Sequence, residues 1–330
     1  SPRFLWEIVE GWHSVVPDSV RAELRSKYFA GCSAGILNAP DVSYNPETDD
    51  SLCQTFGVKD FAEGKRANKL ALQRELQLKE DANAPMFFWP SRLDPVQKGP
   101  QLLTDILHHL VSDYWDRDLQ VVIVANGPHQ QWIDKIVSAF DLRERVAIVD
   151  FEERLSRLAY AASDFMLMPS LFEPCGLPQM TSPLYGSLPV VHSTGGLYDT
   201  IRPLDVENST GNGFRFDHYN SDAFRWAIDR AMDFHALPVE IREREAGHLD
   251  RHALRSRFVF RQTDTCHLGI GEGGPGDHAV VGLELLEATE QAVDGGIPGL
   301  VRRGVRELVR PGHVTRGQDV GVVGFQVLVD

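Results

Sequence analysis

Hydrophobic and polar positions along this chain follow two periods in turn. Residues 62–79 (AEGKRANKLALQRELQLK) set apolar side chains at helical spacing with charges between them, which predicts an amphipathic helix. Met86 to Pro90 is a short, unbroken apolar and aromatic run, the pattern of a strand buried on both faces. Gly99 to Tyr114 returns to helical spacing, and Leu119 to Ala125 (LQVVIVA) is strand-like again. The alternation continues with a helix over Gln130 to Phe140, a strand over Val146 to Val149 and a helix over Arg154 to Ala162. It ends with a strand over Phe165 to Met168, a helix over Leu177 to Tyr185 and a strand over Leu188 to His192. Strands that alternate with helices predict βαβ units, and hence an α/β fold with a parallel sheet and helices on both faces. Residues 1–50 read as short polar helices and Pro/Gly/Asn turns.

Ligands of such sheets bind beyond the carboxyl ends of the strands. Five loops therefore carry the candidate chemistry: Ser91-Arg92, Asn126-Gly127, Asp150-Phe151, Pro169 to Glu173, and Ser193 to Gly196. The first holds two cations, Arg92 and Lys98, just ahead of a helix. Arg clamps two oxygens and Lys supplies a point charge, so the pair suits a diphosphate; charged loops are also ordinary surface. The run Pro169 to Met180 opens a helix near Leu177. Free amides at a helix start favour an anion, and Gly176 lets backbone approach a ligand closely. Glu173 would repel that anion. Its carboxylate suits donors such as sugar hydroxyls, or else caps the helix dipole. Gly195-Gly196 marks another close approach or an ordinary turn. Phe151 suits stacking on a nucleobase, or burial in the core.

Composition narrows the classes. The chain has 330 residues, 42% hydrophobic and 24% charged, enough for a packed core. A formal net charge of -14 argues against broad contact with nucleic acid. No apolar run reaches membrane-spanning length. Cys32, Cys53, Cys175 and Cys266 lack paired spacing, which fits reduced thiols and a cytoplasmic location better than disulfides or zinc. The 12 His are dispersed and no metal-ligand spacing emerges, so no metal is predicted. Ser170 lacks a G-x-S-x-G context, and no Walker-type loop is present. From about Leu254 the character changes, and the last 65 residues hold half of the 28 Gly and no Lys. A helix over Leu283 to Val293 and a strand over Val320 to Val329 are expected there. This Gly/Val-rich tail is either flexible or separately folded, or the product of a shifted reading frame.

The segments GILN at 35–38, KRANKLALQRELQL at 65–78, SRLDPVQKG at 91–99, SLFEPCGLPQM at 170–180 and YGSLPVVHSTGGLYDTI at 185–201 resemble the ADP-glucose-dependent glycogen and starch synthases. GFRFDHYNSDAFRWAIDRAM at 213–232 extends the likeness, which covers residues 1–245. The resemblance implies a Rossmann-like domain, the C-terminal half of a two-domain (GT-B) retaining glycosyltransferase. It implies an inter-domain segment at 1–50, a nucleotide-sugar-binding domain at 51–245 and an atypical tail at 246–330. It assigns Arg92 and Lys98 to the donor diphosphate and Glu173 to glucose hydroxyls. It places Cys175, Gly176 and Leu177 beside sugar and phosphates, Phe151 near the adenine, and Asn38, Thr194, Gly195 and Gly196 at the donor. It implies glucose transfer from ADP-glucose, a substrate, to an α-1,4-glucan, with no cofactor and no metal.

This chain departs from the family pattern in places. The Arg92–Lys98 spacing is one residue longer, Pro178 replaces a Thr, and Thr181 stands where the wider E-x7-E pattern has its second acid. The usual helix after residue 245 is not recognisable, and the family's first Rossmann domain, with its KTGGL motif and acceptor surface, is not matched. The expectation is a donor-binding fragment with weak or no transfer of its own. The alternatives are a GT-B enzyme with a UDP-sugar donor and a non-catalytic nucleotide-sugar or glucan-binding module.

Overall fold

The computed structural model describes residues 1–247, and the architecture below is that of these residues. The expected helix at 283–293, the strand at 320–329 and the nature of the tail lie outside the described residues. The elements are α1 (Pro2–Val9), α2 (Asp18–Phe29), α3 (Phe61–Glu75), β1 (Met86–Trp89), α4 (Pro100–Asp113), β2 (Gln120–Val124), α5 (Gln130–Ala139), β3 (Val146–Val149), α6 (Glu153–Ala162) and β4 (Phe165–Met168). Then come α7 (Pro178–Thr181), β5 (Leu188–His192), α8 (Gly195–Thr200), β6 (Phe214–Phe216), α9 (Ser221–His235) and α10 (Val239–Gly247). The strands form one sheet in the order β3-β2-β1-β4-β5-β6, with every neighbouring pair parallel. The order reverses between β1 and β4, and such a switch point opens a crevice at the carboxyl ends.

The unbroken apolar runs follow from burial on both faces. Phe87, Trp89, Val121, Ile123, Phe165 and Leu167 pack on one face under α4, α5 and α9. Their sequence neighbours Met86, Phe88, Val122, Val124, Met166 and Met168 pack on the other under α3 and α6. Side chains alternate along a strand, so every position of a central strand meets a layer of helix.

Two expected elements differ. The helix expected over Leu177 to Tyr185 is a single α turn, α7, followed by a 3-10 turn over Ser182–Tyr185. Pro183 has no N–H to donate back to the previous turn, which breaks the helix there. The N-terminal segment is not merely polar, since α1 buries Phe4, Glu7, Ile8 and Val9. It packs on α8 rather than running free, with Arg3 N–H donating to Asp199 at 2.9 Å. No helix among the described residues is long and apolar enough to cross a membrane.

His235, at the end of α9, gives the fold an acid-sensitive point. Burial pulls its pKa from 6.5 to about 4, against the nearby Asp164 carboxylate. The folded ring is therefore neutral at pH 5, where the unfolded ring binds a proton. Stability is fully present above pH 6.5 and is lost as pH falls from 6.5 towards 4. Between pH 7.5 and pH 5 the loss is about 2 kcal/mol. Urea unfolding at the two pH values should show a smaller difference by that amount in His235→Asn. Equal pH slopes in the two proteins would contradict the assignment.

Candidate functional site

The loops after β1 and β4 flank the switch point and bring two expected residues into contact. Lys98 Nζ donates to Glu173 Oε2 at 2.7 Å, and both side chains are largely buried. Ser170 Oγ donates to the same oxygen at 3.1 Å, and His192 Nδ1 donates to the Ser170 carbonyl at 2.8 Å. Burial lowers the His192 pKa, so the ring is held neutral and keeps the Nδ1 proton that this bond needs. Gly99, with φ of 72°, lets the β1 loop close on the β4 loop, since a Cβ there would meet the Pro169 carbonyl. Leu171 N–H donates to Gln97 O at 2.8 Å and completes the contact between the loops. Arg92 projects from the same loop. It is exposed, and its guanidinium makes no hydrogen bond or ion pair among the described residues.

The Glu173–Leu177 segment turns through Gly176 at φ of 74°. The N–H groups of Gly176 and Leu177 make no hydrogen bond among the described residues. They are open to an acceptor at the start of α7. The Cys175 thiol is buried, and its sulfur accepts from the Asn38 N–H at 3.0 Å. Burial pushes its pKa up, so Cys175 is a packed thiol rather than a thiolate. Asn38 is thereby brought to the Glu173–Leu177 segment through its backbone, with its side chain exposed. Phe151 lies beyond β3 with its ring half exposed, and its N–H is held by Asn126 Oδ1 at 3.0 Å. It is not a core residue.

Thr194, Gly195 and Gly196, expected at the donor, bond within the protein. Their polar groups are already used within the protein. Thr194 Oγ1 donates to Glu7 at 3.1 Å, Gly195 N–H to Glu7 at 2.9 Å, and Gly196 N–H to Glu173 O at 2.8 Å. A Cβ on Gly195 would strike the Glu173 carbonyl, and one on Gly196 the Cys175 carbonyl. The close approach that these glycines permit is to the β4 loop, and no donor group remains on them for a ligand. Glu7, His13, Ser170 and His192 support the candidate loops, and the strand-end argument did not give them that part. Of these, only Ser170 lies in a strand-end loop, three residues before its partner Glu173.

A cavity of about 360 Å³, whose lining includes Lys65, Lys69, Asp164 and His235, opens at the amino ends of β4 and β5. It lies at the opposite ends of the strands from these loops. Parallel sheets bind ligands at the carboxyl ends, so the loops define the candidate site. Among the described residues no group of three or more His, Cys, Asp or Glu is placed to hold a metal ion.

The family model "Glycosyl transferases group 1" matches residues 73–246, more than half of the chain. The chain belongs to this family. The match begins within α3 and ends in α10, so it takes in the whole sheet and both switch-point loops. Curated relatives named glycogen synthase agree. The one from Exiguobacterium sibiricum is 41% identical over 208 residues, 62% of this chain and 42% of the relative. That from Geobacillus thermodenitrificans is 39% identical over 232 residues, 69% of this chain and 45% of the relative. The chain thus spans less than half the length of these relatives. Among solved structures, the catalytic domain of starch synthase IV from Arabidopsis thaliana, bound to ADP and acarbose, superposes with a TM-score of 0.63 at 30% identity. That match covers 75% of this chain and 50% of the other. The GT-B-like α/β fold expected from the motifs is therefore the observed one.

Proposed function

We propose that this chain carries the donor-binding half of an ADP-glucose-dependent α-glucan synthase. The reaction is transfer of glucose to the 4-hydroxyl at the non-reducing end of an α-1,4-glucan, with retention. The observation that carries the reading is the Lys98–Glu173 pair at the β1/β4 switch point, in a chain whose relatives are named glycogen synthase. The ADP bound to the starch synthase IV catalytic domain supports an adenine nucleotide.

The roles follow from the chemistry of each group. Negative charge builds on the leaving diphosphate as the sugar bond breaks, and fixed positive groups are worth most at that moment. Arg92, without a hydrogen-bond or ion-pair partner among the described residues, and Lys98 supply that positive charge. The Gly176 and Leu177 N–H groups offer two donors to phosphate oxygens. Glu173 accepts from glucose hydroxyls. Lys98 is held by Glu173 in this structure, and donor binding exchanges that contact for the diphosphate. Phe151 offers a face to the adenine, and Cys175 and Asn38 shape the wall beside the sugar. Two cations meet the charge, so this reading calls for neither metal nor cofactor. Acceptor placement needs a second wall facing these loops, and neither side of a cleft aligns donor and acceptor alone.

Calorimetric titration of the chain tests the reading. ADP-glucose is expected to bind weakly, yet about tenfold more tightly than UDP-glucose. Labelled ADP-glucose should yield little or no elongated glucan with this chain alone. A preference for UDP-glucose would move the chain to another glycosyltransferase specificity, and robust elongation would refute the half-site.

A further inference from the structure

Glu7 lies outside the matched family region, yet it is tied to the donor loop from behind. Its side chain is fully buried and accepts four hydrogen bonds. They come from Gly195 N–H at 2.9 Å, Thr194 Oγ1 at 3.1 Å, His13 Nε2 at 3.0 Å and Arg3 Nε at 3.0 Å. A carboxylate has about four acceptor sites, so nothing is left for a ligand. Burial raises its pKa, but the bonds from His13, Gly195, Arg3 and Thr194 outweigh that and hold it below the usual range. The group is an ionised internal strut.

What it holds is specific. Glu7 of α1 caps the start of α8 through Gly195, and Asp199 of α8 caps the start of α1 through Arg3 N–H. The two helices are fastened to each other at both ends. The fastened turn lies against the backbone around Glu173. Gly196 N–H donates to Glu173 O, and the two glycines leave no room for a Cβ against the Glu173 and Cys175 carbonyls. The Ser1 nitrogen donates to Pro174 O at 2.7 Å. The His13 ring, whose Nε2 is held by Glu7, meets Phe172 edge-on at 5.7 Å. Phe172 is met by His13, Pro174 by Ser1 at the cap of α1, and the Cys175 carbonyl by Gly196, next to the Gly195 that Glu7 holds.

We propose that Glu7 is a positioning residue of the donor site, locking the Thr194–Gly195 turn so that the Glu173 carboxylate meets the donor sugar in register. The inference rests on the reading of Glu173 as the group that binds sugar hydroxyls.

The test is a pair of calorimetric titrations, with ADP and with ADP-glucose, on the full chain and on Glu7→Gln. ADP lacks the sugar, so the ratio of the two constants isolates the sugar contacts. The variant should bind ADP within about twofold of the parent and ADP-glucose about tenfold more weakly, the scale of one charge-assisted hydrogen bond. A merely structural role predicts equal losses for both ligands or none, and either result overturns the proposal. A parent chain that binds neither nucleotide removes the donor-site reading and this inference with it. Should Glu7→Gln fail to fold, Thr194→Val removes one of the four donors and leaves the carboxylate. Its ratio should shift in the same sense to a smaller degree, and an unchanged ratio there overturns the proposal.

Discussion

Gly196→Ala is expected to lower the stability of the folded unit by about 3 kcal/mol and to abolish measurable donor binding. The reason is space. A Cβ at this position would be driven into the carbonyl oxygen and α-carbon of Cys175. Both are backbone atoms, so no side chain can swing aside. Either α8 retreats and breaks the Gly196 N–H to Glu173 O bond, or the Glu173–Leu177 segment moves. Each outcome displaces the carboxylate assigned to the sugar or the amides assigned to the phosphates. A unit of this size loses about 2–4 °C in Tm per kcal/mol, so thermal unfolding should shift down by about 6–12 °C. Calorimetry with ADP-glucose should show no heat of binding at concentrations that saturate the parent. A variant that melts with the parent and binds the donor equally would show that the two loops do not constrain each other.

The sheet was legible because its central strands are buried on both faces. Met86–Trp89 and Phe165–Met168 are apolar throughout and are bounded by polar or turn residues, so their ends stand out. The edge strand β6 is only Phe-Arg-Phe, with a cation in the middle, and no run marks it. The break between α7 and the 3-10 turn was written at Pro183, but apolar spacing across Leu177 to Tyr185 masked it.

The site was legible to the extent that chemistry follows strand ends. Lys98 and Glu173 each stood out near a strand end, but their contact did not, because it depends on β1 and β4 being neighbours in the sheet. Two other things escaped that argument. A glycine pair announces a close approach without saying to what, and here the approaching body is the protein's own loop. Glu7 escaped because a buried carboxylate in a short helix at the start of the chain looks like any surface acid until its partners, Thr194 and Gly195, are folded against it.

Lys98→Met is expected to damage both stability and binding, and its double variant separates the two effects. Removing the ammonium leaves Glu173, about 7% exposed, with Ser170 Oγ as its remaining side-chain donor. Breaking a largely buried ion pair by removing one partner strands a charge, with a cost here of about 2–4 kcal/mol. The same substitution removes a cation assigned to the leaving diphosphate, so ADP-glucose affinity should fall about 10- to 100-fold. Adding Glu173→Gln neutralises the stranded carboxylate. The double variant should therefore recover most of the lost unfolding free energy, measured by urea titration. It should recover none of the donor affinity, because the cation is still missing and the sugar has lost its charged acceptor. Recovery of stability without recovery of binding identifies a pair that is structural without the donor and separates when the donor arrives. Recovery of both quantities together would mean that Lys98 serves only to neutralise Glu173, and the diphosphate would then have to be held by Arg92 and the Gly176–Leu177 amides alone.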